Sequence, residues 1–174
     1  PTKFPAFSVA AVTYILEKAY ESALGYGMPP SGSGDAAQWG VNNEPIALSL
    51  LGLAKFDGVC LHPTLNLAAT PDSFDGEIIT EIKTPYAFAK VARYFLIKTT
   101  SDVLSVCPEY FWQVIAQILA ANAKSGQLVF FDARREKFNT IFFNRSEMQT
   151  HINTLSERVL LATEIQNNTL NLLK

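Results

Sequence analysis

Asp72, Glu81 and Lys83 are the residues of this chain whose types and spacing most directly suggest chemistry. They stand in the stretch TPDSFDGEIITEIKTP, where a Pro-Asp pair precedes Glu-Ile-Lys by eight intervening residues. Alternation along a strand puts Glu81 and Lys83 on one face and Ile82 on the other, toward the core. Asp75-Gly76 is a hairpin signal, because glycine takes positive φ at little cost. That turn returns Asp72 to the side of the Glu81 strand, so two carboxylates and one amine meet at a single sheet edge. A hard cation such as Mg²⁺ takes oxygen ligands and keeps part of its water shell. Asp72 and Glu81, joined by the backbone carbonyl of Ile82, offer such oxygens. An ion held there would polarise a phosphodiester and acidify a water. Lys83 would orient that water, assist its deprotonation or neutralise charge in the transition state. Taken alone, these residues leave a plain alternative open. Glu–Lys pairs on strands are commonly solvated surface pairs, and a D…ExK triplet arises by chance in unrelated chains.

The elements that must position this group read as follows. Apolar residues at Val9, Val12, Ile15, Leu16, Ala19 and Ala23 predict an amphipathic helix over 8–24, with Ser8 as its N-cap. Residues 25–34 form a Gly/Pro-rich loop, and Asp35 opens a second helix to about Leu53, with a kink or break expected at Pro45. Short strands are expected at 59–61 and 67–70, and a third, rich in β-branched residues, at 77–83. A helix follows over 86–98, then a connection over 99–107. Pro108 opens a helix through Lys124, stopped by Gly126. Strands at 128–131 and 138–143 are joined by the charged turn DARREK, and a last helix runs from Ser146 to about Leu172. Helices and strands alternate in a way that gives an α/β domain, a central mixed sheet flanked by helices.

Composition narrows the class. A chain of 174 residues that is 48% hydrophobic can bury one core, so residues 1–174 are expected to form a single domain. The chain starts at Pro1 rather than Met, which is compatible with residues missing from its start. Its net charge of −2 is not the basic total that points directly to nucleic acid, although only local clustering matters for phosphate contact. Cys60 and Cys107 are far apart, in no CxxC pair, and are expected as buried apolar residues of a reducing compartment. No apolar run is long enough to span a bilayer. His62 and His151 lack paired ligand spacing and are expected to be structural or exposed. Arg134 to Lys137 is expected as a solvated hairpin tip, and Gly32-Ser33-Gly34 lacks the GK[ST] ending of a phosphate loop.

TPDSF, a hairpin and EIITEIKTP together resemble the PD-(D/E)xK nuclease motif, and in particular the lambda exonuclease and YqaJ-like phage recombinase branch. Three further stretches are similar to that branch in the same order: Trp39-Gly40-x-x-x-Glu44, Tyr110-x-x-Gln113, and the strand–FDARREK–strand–long-helix ending. The resemblance covers roughly residues 8–165. It implies a restriction-endonuclease-like core and Mg²⁺-dependent hydrolysis of DNA phosphodiesters, exonucleolytic and in the service of phage-type recombination, with Mn²⁺ as a substitute ion. It also implies DNA as substrate, a ring-like homotrimer, a single-strand annealing protein as partner, and the cytoplasm of a bacterial host. Residue by residue, it makes Asp72 and Glu81 metal ligands with the Ile82 carbonyl. Glu44 holds the ion directly or through water, and Gln113 orients the attacking water or contacts DNA. Tyr110 lies beside the substrate, and Gln117, one turn along the same helix face as Gln113, is placed with it. Without the resemblance, Glu44 reads as an ordinary solvated helix residue, Gln113 as a polar helix position and Tyr110 as core.

Two departures stand out. Ser73 follows the Pro-Asp pair where the family usually has Gly, and no basic helix that grips a terminal 5′ phosphate precedes Ser8. An endonuclease of the same superfamily, or a DNA-binding or assembly module without turnover, are the alternatives.

Overall fold

The structure, a computed structural model, describes residues 7–25, 27 and 34–173. Helices α1 (Val9–Leu24) and α2 (Asp35–Leu51) come first, then strands β1 (Cys60–Leu61), β2 (Ala68–Ala69), β3 (Ser73–Phe74) and β4 (Ile78–Lys83). Helices α3 (Phe88–Phe95), α4 (Thr100–Val106) and α5 (Pro108–Ala120) follow, then β5 (Ser125–Asp132), β6 (Lys137–Asn144) and α6 (Gln149–Leu173). The expected loop over 25–34 lies largely outside the described residues. The chain divides into two compact units, one of residues 1–32 with 156–174, the other of residues 33–155. The first contains α1, capped by the Ser8 hydroxyl, which accepts from the Ala11 amide at 3.2 Å. Its buried positions include Ile15, Ala19 and Ile165.

The second unit holds the sheet, in the order β3-β4-β5-β6. β3 and β6 run antiparallel to their neighbours, whereas β4 and β5 are parallel. A parallel pair needs a long crossover, here supplied by α3, α4 and α5. The sheet is covered on both faces. Val114, Ile115 and Ile118 of α5 pack in one cluster with Ile79, Leu128 and Phe130, while Ala47 and Leu48 of α2 pack in another with Ile82, Val129 and Phe131. Strand alternation therefore sends Ile79, Glu81 and Lys83 toward α5, and Ile82 toward α2. This is the α/β core with a mixed, helix-flanked sheet that the sequence predicts. β1 and β2 pair antiparallel as a separate ribbon.

Several local expectations change. The break at Pro45 is absent: α2 runs through it, and the next turn buries Ala47 and Leu48 completely or nearly so, which holds the helix despite the lost amide donor. The expected connection over 99–107 contains α4. Its start is a capping box in which the Thr99 hydroxyl accepts from the Asp102 amide and the Asp102 carboxylate accepts from the Thr99 amide. Gly126 does not stop α5. Asn122, at φ 50°, turns the chain there, and Gly126 lies inside β5. A Cβ on Gly126 would stand 2.8 Å from Ile79 Cδ1 and 3.0 Å from Ile118 Cδ1, so glycine is needed where β5, β4 and α5 close on one another.

Gly126→Ala is expected to lower stability by about 1–3 kcal/mol through overpacking of this junction, read as a reduced midpoint of urea denaturation at unchanged slope.

Candidate active site

Glu81 sits in the α5-facing side of β4 and is 3% exposed. A carboxylate in so apolar a place needs donors to offset its lost hydration. Three supply them. The Lys83 Nζ lies 2.6 Å from Oε1, Gln113 Nε2 donates to the same oxygen at 2.6 Å, and Gln117 Nε2 donates to Oε2. Gln113 and Gln117 are a turn apart on α5, so one helix face presents both amides to the strand. Gln117 is itself buried, at 2% exposure, and its amide serves Glu81 from inside the core. Tyr110, one turn earlier on α5, places its ring 4.8 Å from the Lys83 ammonium, a cation–π contact that fixes the amine at the cleft edge.

Asp72 reaches the same place from the loop before β3. Its Oδ2 accepts from the Ile82 amide at 2.6 Å, and its own carbonyl accepts from the Phe56 amide at 3.0 Å. The hairpin that brings it there is the one expected: β3 pairs with β4, Gly76 takes φ 98°, and the Asp75 carboxylate accepts from the Glu77 and Ile78 amides. Burial first, and then the charge of Glu81, push the Asp72 carboxyl up to about 7; Glu44 acts in the same sense, while the Ile82 amide and Lys83 oppose it.

A cleft of about 370 Å³ opens over these groups. Glu44, Asp72, Glu81, Ile82, Lys83 and Tyr110 all line it, and Gln113 and Gln117 stand behind Glu81. The expected residues thus gather in one place, on α2, the β3 approach, β4 and α5. Among the described residues, no three His, Cys, Asp or Glu side chains form a preformed metal cage. Oε1 of Glu81 accepts from Gln113 and Lys83, and Oε2 from Gln117 alone, which leaves Oε2 a further lone pair. The donor set nonetheless fits a hard divalent cation in type and charge. All candidate ligands are oxygens, and burial first, then two neighbouring carboxylates, push the Asp72 carboxyl upward.

The other expectations sort as follows. The His62 Nδ1 accepts from the Thr64 and Leu65 amides and so shapes its own turn. His151 packs edge-on against Phe111 and Trp112. Cys60 and Cys107 are free and buried. Residues 134–137 form an exposed hairpin tip, as expected, and within it the Arg134 guanidinium also lies over the rings of Trp39 and Phe88 and donates to the Tyr86 carbonyl at 2.9 Å. A charged turn gives no hint of these ring contacts, because Trp39 and Phe88 come from distant segments. Lys90, also unmarked by spacing or motif, lines the cleft.

No family model matches the chain, and no curated protein matches it in sequence. Solved structures do. An alkaline exonuclease from Laribacter hongkongensis superposes with a TM-score of 0.71 at 20% identity, over 95% of this chain and 84% of that one. A structure of LHK-Exo in complex with dAMP gives 0.70 at 22% identity, over 94% and 88%. A phage-related exonuclease from Haemophilus somnus gives 0.70 at 15% identity, over 96% and 85%. The chain shares the fold of these exonucleases, in agreement with the resemblance carried by its motifs.

In chelator, the raised Asp72 carboxyl makes the folded state bind its proton more tightly than the unfolded state. The contribution of this group to stability is therefore full below about pH 4 and is lost as pH rises toward 7. Asp72→Asn should flatten that fall in melting temperature between about pH 4 and 7; an unchanged slope would mean that Asp72 is not the titrating group.

Proposed function

We propose that this chain is a metal-dependent DNA nuclease, exonucleolytic and of the phage recombination type. The observation that carries the reading is the convergence of Asp72, Glu81 and Lys83 in one cleft, on a fold shared with exonucleases. One of the structures of that fold holds dAMP, a mononucleotide, which supports a nucleotide product for this cleft as well.

Asp72 and Glu81 would hold Mg²⁺ or Mn²⁺, with Glu44 and the Ile82 carbonyl as further oxygens. When bound, such an ion supplies Lewis acidity toward the scissile phosphate and a water acidified for attack. The residues of the chain perform the rest. The Ile82 amide, by occupying Asp72 Oδ2, directs that carboxylate and leaves its second oxygen for the cation. Gln113 and Gln117 fix Glu81 through both of its oxygens, so the carboxylate need not reorganise as charge moves. Lys83, steadied by Tyr110, stands where negative charge would grow on the phosphorus-centred transition state.

The dAMP held by a structure of the same fold supports DNA as the partner. A homo-oligomer, a ring-like trimer in the resemblance, and an annealing protein belong to the same reading, as does action in the host cytoplasm. Among the described residues no helix is long and apolar enough to cross a membrane.

The test is release of nucleotides from linear duplex DNA with Mg²⁺. Wild type should be active and silent in chelator. Lys83→Ala should lose roughly a hundredfold to a thousandfold in kcat, as for other transition-state charge stabilisers, and Glu81→Ala at least as much. A closed circular duplex should survive, as an exonuclease needs an end. Equal activity in Glu81→Ala would overturn the assignment; nicking of the circle would make the enzyme an endonuclease.

A further inference from the structure

Gly40 lies inside α2, where glycine is the poorest residue after proline. Other glycines of the chain are explained by the fold. Gly52 ends this same helix at φ 67°, and Gly126 has no room for a side chain. Neither reason holds at position 40. Its φ is not positive, and a Cβ built there would meet only Thr84 Oγ1 within 4 Å, at 3.7 Å, an ordinary contact. Alanine would therefore fit and would strengthen the helix. Yet Gly40 lines the cleft, together with Thr84 and with Glu44, one turn along the same face of α2. The helix gives up stability at this position, and what it leaves open is space over the cleft wall.

That space brings a ligand close to the helix backbone. The amide and the carbonyl of residue 40 both serve the helix ladder, so the surface there is a methylene with no free donor for a phosphate. Glu44, Asp72 and Glu81 line the same cleft and repel phosphate wherever Lys83 or a cation does not answer them. A base would need a ring to stack on, which position 40 itself does not provide. The part of a nucleotide that suits the place is the neutral, carbon-rich sugar, with the Thr84 hydroxyl beside it. We infer that Gly40 is a clearance residue for the substrate: the deoxyribose next to the scissile phosphate packs directly on the α2 backbone at this point. The inference rests on the nuclease reading and adds to it the residue that sets how deeply the strand enters the cleft.

Melting temperature, Mn²⁺ affinity and nucleotide release from linear duplex DNA, measured on wild type and on Gly40→Ala, test this. Gly40→Ala should melt about 2–4 °C higher, as expected for one glycine replaced inside a helix of a chain of this size. Its Mn²⁺ affinity, read by electron paramagnetic resonance, should be unchanged, because a methyl group carries no charge. Its kcat/KM with Mg²⁺ should nevertheless fall roughly tenfold to a hundredfold, the scale for a substrate displaced by about 1 Å. Gly40→Leu, bulkier and also a good helix former, should lose more. A lower melting temperature for Gly40→Ala would mean that the fold itself needs glycine, and overturns the inference. An unchanged kcat/KM overturns it too, as does a weakened Mn²⁺ affinity, which would route the loss through Glu44. In each of these cases wild-type digestion with Mg²⁺ leaves the nuclease reading standing. Wild type that releases no nucleotide overturns both.

Discussion

A carboxylate on the apolar side of a central strand has to be answered by donors, and Glu81 makes that demand here. Its neighbours on the same face are the buried Ile79 and the packed residues of α5. Left alone, the charge would cost several kcal/mol. Gln113, Gln117 and Lys83 remove most of that cost by bonding to both oxygens. The consequence reaches beyond one residue. α5 must lie over β4 in a single register, because two amides a turn apart have to meet two oxygens of one side chain. The parallel pairing of β4 and β5 and the glycine at position 126 serve that approach.

The same demand separates the roles of the two acids. Glu81 is buried and bonded at both oxygens, whereas Asp72 is held through one oxygen by the Ile82 amide and is pushed toward its neutral form by burial and by two nearby carboxylates. One acid is fixed by the core; the other waits for positive charge. A divalent cation bound as proposed would relieve that imbalance.

The junction of α2, α3 and the β5–β6 turn is built on another principle. Its order comes from stacking, with a guanidinium between rings from α2 and α3 and its carbonyl anchor at Tyr86. Rigidity is gained without burying a charge deeply, because guanidinium is weakly hydrated and packs on aromatic faces.

Local rules in the sequence determined a good deal. The hairpin at Asp75-Gly76, the alternation that aligns Glu81 with Lys83, the helix face shared by Gln113 and Gln117, and the strands after α5 all follow from short-range periodicity and turn chemistry. These interactions lie within a few residues of one another, so spacing alone encodes them. What tertiary structure decided involves partners far apart in the chain. Gly126 was read as a helix stop because its meaning, a close approach to Ile79 and Ile118, exists only once β5 packs. Pro45 reads as a kink or a break, and α2 continues through it because the burial that holds the helix comes from the sheet. Gln117 reads as a companion facing substrate because the carboxylate at 81 is far from it in sequence, and the rings of residues 39 and 88 that the exposed Arg134 packs on are equally distant. Desolvation and long-range contact set those outcomes, and no periodicity reports either.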